Sequence, residues 1–262
     1  MPAYEAPVAA PTWIELFTSD RDRATAFYGE LLGWDHEEPN EDVGGYLNFT
    51  LDGVRIAGLM QSQQEPGHPV DFWNTYLRTD DIEATVAAAQ AAGSPVFLPP
   101  HPVGDLGHFA MVADTGGGAA VGLWQPGTHR GFGRYAEVGA PQWFELHADR
   151  HAETVAWYEQ VMGWAPVEMS DDPGFRYTRQ PGPAGAEADD WVAAIMDTEG
   201  GRPDGVPPSW KIYFVVADTD DALATVERLG GSVLDGPEDT PFGRLAEVAD
   251  PMGAAFKIGQ PT

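Results

Sequence analysis

Two short stretches of this chain hold the residues best suited to chemistry. Glu145 and His147 stand two positions apart in Trp143-Phe144-Glu145-Leu146-His147, and Glu15 stands in the matching stretch Trp13-Ile14-Glu15-Leu16-Phe17. A carboxylate and an imidazole two apart on an extended strand project to the same side, so they can share a proton or contribute jointly to a metal. Glu15 has Phe17 where the other stretch has a histidine. Its uses are those of a lone carboxylate: general base, shifted metal ligand or hydrogen-bond acceptor for a ligand, or else partner of a nearby cation. Thiolate metal sites, thiol nucleophiles and disulfides are excluded, because the sequence contains no cysteine.

The elements that position these groups are legible from periodicity. In the first stretch Ile14 and Leu16 face one side while Trp13, Glu15 and Phe17 face the other. Ser19 or Asp20 suits a helix N-cap, and Ala24, Phe27, Tyr28 and Leu31 then recur at helical spacing until Gly33 ends the helix. Residues 46–50 and 54–60 read as strands around the Asp52-Gly53 turn. The same plan follows again: a strand over 73–79, an Ala-rich helix over 81–92 ending at Gly93, and two or three strands running to Trp124.

The whole arrangement is duplicated. Residues 11–34 overlay residues 141–164 without a gap, with eight identities in 24 positions, and the block beginning at Trp73 aligns with that beginning at Trp210. Such a period places the repeat before any other organisational reading. The expected layout is a first domain over 1–126, a Gly- and Pro-rich linker over 127–140 and a second domain over 141–262. The fold class is α+β: two tandem domains, each a pair of βαβββ modules whose antiparallel sheet curls around a cleft with helices outside. Gly116 to Gly118 forms a turn before a strand, without the spacing of a phosphate loop.

Charge narrows the partners. Fourteen Lys and Arg against 41 Asp and Glu give a formal net charge of −27, which repels phosphate backbones and anionic lipid head groups. Neither nucleic acid nor a membrane surface is an expected partner. The first residues lack a basic and an apolar segment, and no run of about 18 apolar residues follows, so a cytoplasmic location is expected.

Three features together resemble the vicinal oxygen chelate superfamily of glyoxalase I, bleomycin-resistance proteins and extradiol dioxygenases, most closely its tandem actinobacterial glyoxalase-like members. They are the strand followed by Asp20 and AFYGELLGW, the helices ending AQAAG or ERLGG, and the late VADPMGAAFKI. The resemblance implies a cleft in each domain and, in the family's enzymes, a divalent metal held there by His, Gln and Glu, which polarises neighbouring substrate oxygens. The implied ligand positions do not carry such residues here. The first-strand histidine falls on Trp13 and Trp143, and indole cannot ligate a metal. The paired modules offer Asn74 and Lys211, the last-strand glutamate becomes Gly122 and Lys257, and the segments beginning at Ile56 and Val192 supply no carboxylate.

Glu15, Glu145, His147 and Phe17 therefore face the implied clefts beside Trp13 and Trp143. Tyr46, Phe49, Tyr76, Trp124 and Tyr213 add aromatic surface, which serves either a core or a flat ligand. Asn74, Lys211 and Lys257 project the same way, and a lysine there neutralises Glu145 or meets an anionic ligand. The expected function is a small-molecule-binding protein without the family's metal, sequestering or carrying an aromatic or drug-like metabolite. The alternative is a lyase, isomerase, hydroxylase or dioxygenase of the same superfamily, with Glu145 and His147 catalytic and any divalent metal bound in an unfamiliar way. No cofactor is expected, and four modules in one chain make a monomer the expected state. The course of the Pro- and Gly-rich stretch 171–188 does not follow from sequence.

Overall fold

The strand that carries Glu15 is the centre of the first sheet. In the computed structural model, which describes residues 4–62, 71–172, 175–201 and 206–261, the first domain runs β1 (Pro11–Thr18), α1 (Arg21–Leu32), β2 (Asp35–His36), β3 (Leu47–Leu51), β4 (Val54–Gln61), β5 (Phe72–Arg78), α2 (Ile82–Ala91), β6 (Val96–Val103), β7 (Gly107–Ala113) and β8 (Ala120–Pro126). The second repeats it as β9 (Pro141–Ala148), α3 (His151–Met162), β10 (Val167–Asp172), β11 (Phe175–Pro181), β12 (Trp191–Asp197), β13 (Ser209–Val215), α4 (Thr219–Arg228), β14 (Ser232–Thr240), β15 (Gly243–Ala249) and β16 (Ala255–Gln260). Residues 1–3 of the N-terminal reading, and residues 173 and 174 within 171–188, lie outside the described residues.

Local chemistry places the boundaries. The Asp20 and Asp81 side chains accept from the backbone N–H three residues on, and Gly33 and Gly163 end α1 and α3 in the left-handed conformation. Asp52 and Gly53 both have positive φ, the requirement of the tight hairpin turn joining β3 to β4.

Each domain forms one eight-stranded sheet, ordered β2-β3-β4-β1-β5-β8-β7-β6 and β10-β11-β12-β9-β13-β16-β15-β14. The sheets are mixed rather than antiparallel: β1 runs parallel to β4 and β5 parallel to β8, with β1 and β5 antiparallel between them. The connection explains this. Helix α1 returns the chain to the sheet edge, and the meander β2-β3-β4 ends on a strand with the direction of β1.

The core occupies the faces that carry Ile14 and Leu16, where the two domains meet over the helices. Tyr28 on α1 is fully buried, accepts from Trp73 Nε1 at 3.0 Å, and donates to Asp250 Oδ2 in the other domain at 3.1 Å. Trp34 donates to the Gly139 carbonyl at 2.6 Å and Trp164 to the Ala9 carbonyl at 2.9 Å. Gly116 has a packing reason: a methyl group there would lie 2.2 Å from Thr154 Oγ1 on α3. The helices thus lie outside each cleft, each with one buried face and one exposed face.

The segment between the sheets is packed rather than loose. Phe132 is buried and stacks with Tyr4 and Phe144, its N–H bonds the Thr12 carbonyl at 2.9 Å, and the Gly133 N–H bonds the Arg55 carbonyl at 3.0 Å.

Candidate functional site

Strand pairing gathers the chemistry-bearing residues on the face opposite the core. In the first domain Glu15 lies between Gly58 and Asn74, and Tyr76 between Trp13 and Gly122. Two glycines make room for two tyrosines: a methyl group on Gly58 would fall 1.8 Å from Tyr46 Oη, and one on Gly122 would fall 2.2 Å from the Tyr76 ring. Tyr46 Oη accepts from Trp13 Nε1 at 3.1 Å, and Tyr76 Oη donates to Glu15 Oε2. Asn74 points its amide at Met111 Sδ, 3.4 Å away. With burial outweighing the Tyr76 hydrogen bond, the Glu15 carboxyl is pushed up to about 7. His129, from the connecting segment, sets its ring edge-on to Trp13 at 4.4 Å, and Trp124 Nε1 donates to its carbonyl at 3.0 Å. Burial and the Arg55 charge bring that imidazole down to about 4.

The second domain repeats the carboxylate and changes its company. Glu145 Oε1 takes His147 Nε2 at 2.7 Å and the Tyr213 hydroxyl at 3.0 Å, and Oε2 takes the Tyr177 hydroxyl at 2.7 Å. Burial alone would raise this carboxyl, yet the hydrogen bond and charge of His147, with Lys257 and Tyr177, hold it at about 2. Burial first, then the Glu145 charge, raises both tyrosine hydroxyls, which stay protonated donors. Lys211 pairs with Glu247 at 2.7 Å, and Lys257 Nζ stands 5.1 Å over the Tyr213 ring. Arg179 on β11 lies within 5.3 to 5.8 Å of the rings of Trp143, Tyr177, Trp191 and Phe242.

The structure thus brings Trp13, Glu15, Tyr46, Asn74 and Tyr76 together on one sheet face and Trp143, Glu145, His147, Lys211, Tyr213 and Lys257 on the matching face of the other sheet. Phe17 shares the first face but stacks with Phe72 at 4.9 Å. Phe49 is displaced: it lies on the core face, fully buried, 5.0 Å from Trp34 and 5.9 Å from Tyr28. Lys211 serves Glu247 rather than Glu145; Lys257 reaches Glu145 through its charge alone. Sequence reasoning missed Tyr177, Arg179, Glu247 and His129. The first two lie in the stretch read as an underivable loop, half of which belongs to β10 and β11; the available signal was the repeat, which sets Tyr177 against Tyr46.

The donor set does not fit the divalent metal that the resemblance implies. The positions concerned hold an indole, an amide, a lysine or no side chain, and Lys257 brings a positive charge to one of them. Among the described residues no three His, Asp or Glu side chains converge, and the Glu145 oxygens are already engaged by three donors. What the second cleft can do is share a proton between Glu145 and His147, whose Nε2 stands 2.7 Å from Oε1. A surface depression of about 330 Å³ between the domains, bordered by Leu31, Val138, Val215 and Asp221, lies away from both clefts.

Comparison with known proteins agrees with this architecture. The family model for the glyoxalase/bleomycin resistance protein/dioxygenase superfamily matches residues 10–121 and again 141–258. "Putative glyoxylase CFP32" of Mycobacterium tuberculosis is 35% identical over 257 residues, covering 96% of this chain and 94% of that one. Anthracycline biosynthesis protein DnrV of Streptomyces peucetius is 31% identical over 263 residues, covering 95% and 92%. Among solved structures, the Mn(II)-bound glyoxalase of Novosphingobium aromaticivorans superposes with a TM-score of 0.64 at 16% identity, covering 99% of this chain and 83% of that one. The 2,3-dioxygenase LapB of Pseudomonas sp. KL28 does so at 0.65 and 15%, covering 98% and 93%; at these identities the likeness is one of fold. A repeated βαβββ pairing, a mixed curled sheet in each half and a family match in both halves lead to one conclusion: this chain belongs to the glyoxalase/bleomycin resistance protein/dioxygenase superfamily, with two such domains in tandem.

Proposed function

We propose that this protein binds a flat, aromatic small molecule in its clefts without a divalent metal, acting as a monomeric cytoplasmic carrier or sequestering protein. The observation that carries the reading is the lining itself. Where the family would ligate a metal, both clefts present Trp, Tyr and a carboxylate that accepts from one tyrosine hydroxyl in the first and two in the second, an aromatic floor with a few fixed polar groups. The relatives named for anthracycline biosynthesis support it, since an anthracycline is a fused-ring aromatic. Elemental mass spectrometry of protein purified without chelators, followed by calorimetric screening with aromatic metabolites, tests it. The expected result is well under one equivalent of metal together with saturable binding. A stoichiometric divalent metal whose removal abolishes binding would overturn it.

A second reading is favoured by one specific contact. The 2.7 Å His147–Glu145 pair orients an imidazole in a largely buried cleft, the arrangement by which a carboxylate prepares a histidine to take a proton. In a lyase, isomerase or hydroxylase of this superfamily His147 would be the proton acceptor and Glu145 its orienting partner. His147→Gln separates the readings, because it removes all turnover of such an enzyme and leaves a carrier's affinity within a few fold.

A further inference from the structure

We propose that the second cleft is a site for a planar aromatic acid, whose ring lies against Trp143 and whose anionic group is taken by Arg179. The proposal rests on the small-molecule reading above and adds the chemical class of the ligand.

Arg179 shares the cleft face with Glu145 through the cross-strand chain Arg179, Ala194, Glu145. Its surroundings are aromatic: Trp143 and Phe242 at 5.3 Å, Trp191 at 5.4 Å and Tyr177 at 5.8 Å from the guanidinium carbon. Among the described residues no carboxylate lies within ion-pair distance of it, and its Nε is buried without a hydrogen-bond partner. In a chain with 41 acidic and 14 basic residues, carboxylates are plentiful, and neighbouring Lys211 shows the ordinary outcome by pairing with Glu247 at 2.7 Å. Rings stacked on a guanidinium occupy its faces and leave its edge N–H groups free, and that edge matches a carboxylate bidentately.

Two further features fit the same ligand. Lys257 also stands over a ring, Tyr213, with no carboxylate in ion-pair distance among the described residues, so a second cation faces the same space. The Glu145 charge is offset where it stands, since both of its oxygens accept hydrogen bonds and the Lys257 charge acts on it. Phe242, in the turn between β14 and β15, is 67% exposed although it lies against Arg179. A ligand ring can take its place there without emptying a core. The first cleft lacks the device: Asn48 holds the position of Arg179 and is bound to Glu37 at 2.8 Å, and Gly122 holds that of Lys257.

Isothermal calorimetry on the full chain, with 2-naphthoate and its neutral counterpart 2-naphthamide as probes, tests the assignment. The wild type is expected to favour the carboxylate by roughly ten- to a hundredfold, the range of a charged hydrogen-bond pair. Arg179→Gln should abolish that preference while leaving the affinity for the amide within about threefold. Arg179→Lys, which keeps the charge and loses the planar fork, should retain part of it. Thermal melts of both variants establish that they are folded, and the wild-type preference should shrink in 0.5 M salt. Equal wild-type affinity for the two probes, or a preference that survives in Arg179→Gln, overturns the anion site and leaves the small-molecule reading standing. Failure of both probes to bind overturns both.

Discussion

The two clefts share a frame and differ in what surrounds it. Trp13, Glu15, Tyr46 and Tyr76 occupy the same sheet positions as Trp143, Glu145, Tyr177 and Tyr213, while Phe17, Asn48, Asn74, Met111 and Gly122 are replaced by His147, Arg179, Lys211, Glu247 and Lys257. Every one of those five exchanges puts an ionisable side chain where the first domain has a neutral one. Burial of the carboxylate is nearly unchanged, 7% exposed for Glu15 and 5% for Glu145, yet one carboxyl sits near 7 and the other near 2. Burial therefore sets the cost of the charge in both, and the neighbours decide whether the cost is met. The Asn74–Met111 contact and the Lys211–Glu247 ion pair are the same cross-strand position written in two chemistries.

The sharpest way to break this comparison is to neutralise each carboxylate in turn. Glu145→Gln removes the charge that three donors converge on and is expected to cost roughly 2–4 kcal/mol of stability at pH 7 by denaturant unfolding. That contribution is complete above the ordinary carboxyl value of 4.5 and disappears as pH falls toward about 2, since the folded value is depressed. The loss on mutation should fade over the same window. Glu15→Gln should do the reverse. Its folded value is raised to about 7 from 4.5, so the ionised wild type is penalised by about 3 kcal/mol above that pH and unpenalised below 4.5. The variant should therefore equal or exceed wild type at pH 8 and lose that advantage at pH 4.5. Equal losses at pH 8 would show that the two clefts are electrostatically alike.

A smaller effect transfers one cleft's chemistry to the other. Phe17→His places an imidazole beside Glu15 as His147 stands beside Glu145, and should lower the Glu15 carboxyl by at least about one unit in a carbon-13 titration. An unmoved carboxyl would mean that His147 is not what holds Glu145 down. The smallest effect concerns access. His129→Ala removes the ring against Trp13 at a cost of about 1 kcal/mol and should increase acrylamide quenching of tryptophan fluorescence; unchanged quenching would show that Trp13 is covered by something else. Because the His129 value is depressed to about 4 from 6.5, its stabilising contribution is present above pH 6.5 and is lost as pH falls through 4.

Much of this is legible in the amino-acid sequence. Strict alternation in β1 and β9 fixes which side Glu15, Glu145 and His147 face, and the aspartate caps and glycine stops bound the helices, because these are local rules with a single outcome. Phe49 shows a rule neglected: it lies an odd number of residues from Tyr46, so alternation alone sets the two on opposite faces, and the core claims Phe49. Tyr177 and Arg179 were hidden by the prolines and glycines around them, which mark β11 as irregular although it pairs along both edges. His129 leaves no local trace at all. Its place follows from how the connecting segment packs back on β1, through the Phe132 N–H to the Thr12 carbonyl, a contact between residues far apart in sequence.

The bond from Tyr28 to Asp250 has a consequence for how the molecule comes apart. Asp250 closes the turn before β16, its Oδ1 accepting from the N–H groups of Met252, Gly253 and Ala254, and its other oxygen receives the hydroxyl of a helix in the opposite half. On the mirrored side, α3 rests on the turn that Asp114 closes. Each half finishes a corner of the other, so severing the chain between them would leave two fragments, each with an aromatic surface stripped of its cover. Heating the intact protein should accordingly give one calorimetric transition whose van't Hoff and measured enthalpies agree, the behaviour of a single cooperative body despite its doubled plan.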